Sequence, residues 1–135
     1  MAGYLIDSHI FLWAVESPKR LSAVEQSFLT DPRHDIAVSV ASLWELSIKI
    51  SIGRLAISRQ IKSIPSDHFS RSASRVGVRV LPIEAPEAEY VRQLPWIHKD
   101  PFDRLIIAQA LIGGRVIVTR DDIFARYPGV QIFVP

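Results

Sequence analysis

The sequence predicts an α/β domain: a mostly parallel sheet of about five strands with helices on both faces. Two observations lead there. Short apolar runs rich in β-branched residues recur five times along the 135 residues, at Tyr4-Leu5-Ile6, Ile36 to Val40, Val78-Arg79-Val80-Leu81, Val116-Ile117-Val118 and Val130-Gln131-Ile132-Phe133. Segments with helical spacing and helical stop signals separate them. Strands that are apolar throughout, rather than alternating, are buried on both faces, and strand–helix alternation makes the sheet parallel. Connections are short, and no linker, repeat or low-complexity tract interrupts residues 1–135, so a single domain is expected. A chain of this length buries roughly two-thirds of its unfolded surface and needs no staple.

The elements follow in order. Tyr4-Leu5-Ile6 is a strand ending at Asp7. Ser8 is the expected cap of a helix carrying Ile10, Phe11, Trp13 and Ala14, which Pro18 stops. Ser22 to Leu29 is a second helix, ended by Asp31-Pro32. The Ile36 to Val40 strand leads to Ser42 to Ile52, whose apolar residues mix both periods. Its length and the following Gly53 favour helix. Residues 57–75 suggest one or two polar helices before the third strand. Pro86 to Leu94 has proline in its first turn, and Pro101 to Ile112 is a strongly apolar helix closed by Gly113-Gly114. After the Val116 strand, Asp121 to Tyr127 is a short helix, and Val130 to Phe133 the last strand.

Composition excludes several classes of function. With 0 Cys there are no disulfides, thiolate zinc sites, iron–sulfur clusters or cysteine nucleophiles. No apolar run is long enough to span a membrane. The stretch from Met1 to Asp7 has no basic region and meets a carboxylate too early for a signal peptide, so a cytoplasmic globular domain is expected. There is no G-x-x-x-x-G-K, G-x-G-x-x-G or G-x-S-x-G, which counts against NTPases, dinucleotide enzymes and α/β-hydrolases. His9, His34, His68 and His98 show no zinc spacing; His34 and His68 read as surface residues, and His9 falls close to Asp7. The net charge of +2 is unevenly spread: −3 over residues 1–45, +6 over 46–80 and −1 over 81–135. The basic middle fits either a polyanion partner or a solvated surface.

Ligands of open parallel sheets bind beyond the carboxyl ends of the strands. Asp7 and Asp121 follow two such ends, Glu45 lies early in the helix after the second strand, and Asp100 and Asp103 begin the helix before the fourth. Asp7, Asp103 and Asp121 each have an ordinary reading as helix caps. Glu45 does not, because a charge between Trp44 and Leu46 on an apolar helix is costly unless compensated. Together these carboxylates would repel one another, and a divalent cation removes that penalty. Oxygen donors favour Mg²⁺ or Mn²⁺, whose chemistry suits phosphodiester hydrolysis.

Tyr4-Leu5-Ile6-Asp7-Ser8-His9, Ser42-Leu43-Trp44-Glu45-Leu46, His98-Lys99-Asp100-Pro101-Phe102-Asp103-Arg104-Leu105 and Val118-Thr119-Arg120-Asp121 resemble the PIN-domain family. The likeness is strongest to its VapC-type toxin ribonucleases of type II toxin–antitoxin pairs, and it runs from Tyr4 to about Phe133. The Asp100-Pro101-Phe102-Asp103-Arg104 stretch is its most specific part. The resemblance implies a PIN-like three-layer α/β/α sandwich, Mg²⁺- or Mn²⁺-dependent RNA cleavage, a homodimer and a cognate antitoxin. The acids of its pattern match Asp7, Glu45, Asp103 and Asp121, and its hydroxyl positions match Ser8 and Thr119. Asp100 and Asp122 each stand one short step from a matched acid.

Expected roles follow from the chemistry. Asp7, Asp103 and Asp121 hold the ion, Glu45 binds through water or orients the nucleophile, and Ser8, Thr119 and Asp100 support the set. Arg104 and Arg120 flank the acids and, with Lys49 and Arg54, are the expected RNA-phosphate contacts. Other readings remain compatible with the residues: a non-toxin nuclease or phosphatase with the same metal chemistry, or a metal-binding regulatory α/β module. The regulatory reading needs an acid pair at the first strand, where Asp7 stands alone.

Overall fold

A computed structural model describes residues 3–55 and 64–135. Five strands run β1 (Tyr4–Ile6), β2 (Ile36–Ser39), β3 (Arg79–Leu81), β4 (Val116–Val118) and β5 (Ile132–Phe133). Among the described residues the helices are α1 (Ser8–Glu16), α2 (Ala23–Thr30), α3 (Val40–Ser51), α4 (His68–Arg75), α5 (Ala85–Tyr90) and α6 (Pro101–Gly113). The sheet order is β3-β2-β1-β4-β5. Every pairing is parallel, with Leu5 opposite both Ala37 and Ile117. The expected three-layer α/β sandwich is therefore present.

Period-two alternation divides the core into two halves. Ile6, Ile36, Val38 and Val118 face one side, where Ile10 and Phe11 of α1, Leu29 of α2, Leu46 of α3 and Phe69 and Ala73 of α4 pack. Leu5, Ala37 and Ile117 face the other, against Ile106, Ile107 and Ala110 of α6 with Phe124 and Tyr127. Leu5, Ile6, Ile117 and Val118 are wholly buried, so the central strands lie under cover on both faces. Removing each such side chain from water contributes about 1.5–3 kcal/mol. No helix among the described residues is long and apolar enough to cross a membrane.

Several boundaries differ from expectation, each for a local reason. Asp7, not Ser8, caps α1, because the Asp7 carboxylate accepts from Ile10 N at 2.8 Å. Ser8 is thereby placed inside the first turn. Strand β2 stops at Ser39, whose hydroxyl accepts from Ala41 N, so α3 begins at Val40. Gly53, with φ +74°, closes α3 as expected, and Arg54 N reaches back to Lys49 O. The polar helices expected over 57–75 fall partly outside the described residues; α4 accounts for His68–Arg75. The helix expected from Pro86 to Leu94 becomes α5 followed by a 3₁₀ turn over Val91–Gln93. Residues Asp122–Arg126 form a 3₁₀ turn capped by Asp121.

Arg104 explains the break after α5. Arg104, on α6, is only 2% exposed and turns its guanidinium onto the preceding loop, against the expectation of a phosphate-holding surface residue. Nη2 donates to Val91 O at 2.9 Å and Leu94 O at 3.3 Å. Nη1 donates to Pro95 O at 2.8 Å and approaches the Tyr127 hydroxyl at 3.3 Å. The plane lies over the Trp96 ring, 4.1 Å from its centroid. Backbone carbonyls that leave the helix are satisfied by one planar fork, so 91–98 is stitched onto α6. Arg104→Met should destabilise the protein by about 2–4 kcal/mol in urea unfolding, because the desolvated carbonyls lose their donor. Arg104→Lys, without the fork, should recover less than half of that loss.

Candidate metal centre at the carboxyl edge of the sheet

Strands β1 and β4 are neighbours, and the chain order reverses between them, so the segments that leave their carboxyl ends diverge and open a crevice. Asp7 leaves β1 there and is 5% exposed. One carboxylate oxygen holds Ile10 N and the other accepts from the Thr119 hydroxyl at the end of β4. That hydroxyl accepts in turn from Asp121 N at 3.0 Å. Burial pushes the Asp7 carboxyl above its usual range. The Ile10 and Thr119 hydrogen bonds and the nearby His9 oppose the shift, and the Asp121 charge adds to it. Asp121 is exposed, accepts from Ile123 N at 3.1 Å, and lines a 330 Å³ cavity with Asp7, His9, Ile10, Trp13 and Arg120.

Glu45 reaches the same edge from α3 and is also 5% exposed. The Ser8 hydroxyl donates to its Oε1 at 2.7 Å, and Lys49, one turn on, holds Oε2 at 3.0 Å. Ser8 has a single proton, so the 2.9 Å contact between the Ser8 and Ser42 hydroxyls leaves Ser42 as the donor there. Ser8 thus links Asp7's helix to Glu45, although the hydroxyl was expected to cap.

Asp103 lies in the first turn of α6. Asp100 caps that helix by accepting from Phe102 N and Asp103 N. His98 Nε2 meets Asp103 Oδ2 at 2.7 Å. Burial, then the Asp100 charge, pushes the Asp103 carboxyl up to about 6; His98 opposes that shift and Glu45 adds to it. His98, Asp100 and Asp103 bring ligand atoms within 4.8 Å of one another, the single three-donor set of this kind among the described residues. The trio expected as ligands, Asp7, Asp103 and Asp121, does not converge that closely. Asp122 is exposed at the start of its 3₁₀ turn.

The donor set fits a hard divalent cation. Asp7 is buried, raised in pKa and hydrogen-bonded only by neutral groups, with His9 and Arg120 near it but not hydrogen-bonded to it. Such a group either takes a proton or binds a metal. Asp7, Asp103 and Asp121, with Asp100 and His98 beside Asp103, are the groups that could hold one.

The cations expected to meet phosphate are placed differently from one another. Arg104 is internal, as described. Arg120 pairs with the buried Glu25 through Nε at 2.8 Å and donates to Arg20 O, lying over Trp13 at 4.7 Å. Lys49 is tied to Glu45 but 39% exposed, and Arg54 is exposed beyond α3. His68 and His34 are not free surface residues: His68 pairs with Glu16 at 2.5 Å, and His34 packs on Phe28 and Tyr4. His98 has no zinc-type spacing to the other histidines. Its signal was its position just before the Asp100-Pro101 helix start.

The PIN domain family model matches residues 4–130. The chain belongs to the PIN domain family. Its fold is shared with VapBC2 from Rickettsia felis bound to a promoter DNA fragment, at TM-score 0.69 and 19% identity, covering 96% of each chain. FitAcB from Neisseria gonorrhoeae matches at TM-score 0.66 and 21% identity, over 98% of this chain and 97% of that one. DNA-bound VapBC from Salmonella typhimurium matches at 0.64 and 19%, over 98% of each. No curated protein sequence matches significantly.

The raised Asp103 carboxyl fixes a pH dependence for the metal-free PIN domain. Below about pH 4 the group is protonated in folded and unfolded chains alike, and its stability contribution is full. As pH rises through about 6, the folded chain must ionise a desolvated carboxyl, and stability falls. The loss should be on the order of 2–3 kcal/mol. In EDTA, Asp103→Asn should therefore melt higher than wild type at pH 7.5, with the two converging below about pH 4. Mg²⁺ should stabilise wild type more than the variant.

Proposed function

We propose that this PIN domain is an Mg²⁺- or Mn²⁺-dependent ribonuclease and the toxin of a type II toxin–antitoxin pair. The observation that carries the nuclease reading is the buried Asp7 carboxylate, hydrogen-bonded by neutral donors and sharing its cavity with Asp121. The toxin reading rests on the family match and on fold neighbours that are VapBC and toxin–antitoxin complexes.

A divalent cation in this centre supplies Lewis acidity toward a phosphoryl oxygen and lowers the pKa of water. Asp7, Asp103 and Asp121 would hold it. Thr119 locks the Asp7 carboxylate in place, and its link to Asp121 N keeps the β4 loop in register with β1. Glu45, fixed from opposite sides by Ser8 and Lys49, orients the attacking water and accepts its proton. Lys49 and Arg54 supply positive potential toward the backbone of RNA. Arg59 and Lys62, which extend the basic segment, lie outside the described residues. A single domain over residues 1–135, a homodimer and a cytoplasmic antitoxin partner complete the proposal.

Purified protein should cleave RNA with Mg²⁺ or Mn²⁺ and lose that activity in excess EDTA. Asp7→Asn, Glu45→Gln, Asp103→Asn and Asp121→Asn should each reduce cleavage by about a hundredfold or more while the circular dichroism spectrum persists. Activity against small phosphate esters but not RNA would replace the ribonuclease reading with a phosphatase. Expression alone should arrest growth, and co-expression with the adjacent reading frame should restore it and yield a co-purifying complex. Normal growth with active protein would remove the toxin role.

A further inference from the structure

The loop that enters α6 gathers a donor set of its own. His98, Asp100 and Asp103 each bring a ligand atom within 4.8 Å of the other two, and Asp7 and Asp121 stay outside the set. One of the three donors is nitrogen. His98 Nε2 meets Asp103 Oδ2 at 2.7 Å. All three side chains are half-buried, so the set is sheltered from solvent yet open to an ion.

Each donor is fixed by contacts that owe nothing to an ion. The Tyr127 hydroxyl accepts from His98 N at 2.8 Å, and Arg104 Nη1 holds Pro95 O at 2.8 Å, so the loop keeps its course. Asp100 caps α6 through Oδ1 alone, at 2.9 Å from Phe102 N and 3.2 Å from Asp103 N, which leaves Oδ2 for another partner. Asp103 rides on the first turn of the helix so capped. Donors already in place cost an arriving ion little ordering entropy. The charge also favours a cation. Asp100 and Glu45 act on Asp103 as like charges, and the neighbouring Arg104 turns away onto the loop. With both aspartates ionised the set is net negative in either proton state of the ring. Imidazole suits the divalent ions of the first transition row, whereas Mg²⁺ prefers oxygen and keeps several of its waters.

Resting on the metal-dependent reading above, we propose that His98, Asp100 and Asp103 form a separate cation seat, in which His98 is a nitrogen ligand and which takes Mn²⁺ in preference to Mg²⁺. Asp7 and Asp121 offer oxygen alone, so their end of the crevice makes no such choice. Asp103 has two carboxylate oxygens and can serve this seat and the ion at Asp7 together. The ring of His98 thus decides which ion the α6 end of the centre accepts.

The test reads ligation and needs no RNA. Mn²⁺ bound to the full chain should show nitrogen modulation in its electron spin-echo spectrum, the mark of a directly bound imidazole. His98→Gln should abolish that modulation and weaken Mn²⁺ binding about tenfold or more, with Mg²⁺ binding changed less than about twofold. His9→Gln and Asp7→Asn should both keep the modulation, because neither residue belongs to the set. Asp100→Asn retains a capping oxygen and should weaken Mn²⁺ binding in the same selective way, so the test stands if His98→Gln folds poorly. Bound Mn²⁺ without nitrogen modulation, modulation that survives His98→Gln, or equal losses of Mg²⁺ and Mn²⁺ would each overturn the seat. Modulation lost in Asp7→Asn would overturn its separateness from the Asp7 ion. Metal-dependent RNA cleavage by a protein that lacks the modulation would defeat this inference alone. Nitrogen-bound Mn²⁺ on a protein that cuts no RNA would defeat only the nuclease reading.

Discussion

The rest of the site depends on the contact between Asp7 and Thr119. These residues lie 112 apart in sequence and meet because β1 and β4 are parallel neighbours in register, Ile6 beside Val118. A carboxylate in that place loses its hydration to the core beneath it. Three groups offset part of the cost: the Ile10 amide, the Thr119 hydroxyl and the N-terminal dipole of α1. None of the three carries a charge, and despite the nearby His9 and Arg120 burial still holds the carboxyl above its usual range.

The two sides of the centre are built differently. Around Asp7 and Glu45, short hydroxyl side chains do the positioning, with Ser8, Ser42 and Thr119 filling gaps too small for longer groups. Around Asp103, a loop does it. Residues 91–100 carry His98 and Asp100, and their backbone is held by the buried Arg104 and by Tyr127, whose hydroxyl accepts from His98 N at 2.8 Å. Arg104 next to Asp103 invites a reading as a substrate contact, yet consecutive helix positions point to different sides. Asp103 turns to the crevice while Arg104 turns inward.

A similar division separates the cations on the other flank. Arg120 follows Thr119 and was expected at the phosphate, but the buried Glu25 of α2 takes two of its nitrogens. Glu25 also closes the capping box of α2 with Ser22. One side chain therefore terminates a helix and fixes an arginine over Trp13. The aromatic wall of the crevice is rigid for reasons that begin in helix capping.

Much of the molecule was legible in the sequence by itself. The five apolar runs specified the strands; β1, β2 and β4 are covered on both faces, whereas the edge strands β3 and β5 leave Arg79 and Phe133 exposed. Gly53 and Gly114 specified helix ends, both with positive φ. Glu45 announced itself as a charge on an apolar helix, and Asp7 and Asp121 by following strands. These signals are local, carried by neighbours within one or two turns. Tertiary structure alone decided which partners each polar group finds. Nothing near Arg104 in sequence shows that its fork closes onto carbonyls of the preceding loop, nor near Ser8 that its hydroxyl serves Glu45 rather than its own helix. Side-chain type sets what a group can bind. Chain crossing sets what it meets, because the free energy of a buried polar contact depends on the partner supplied from elsewhere.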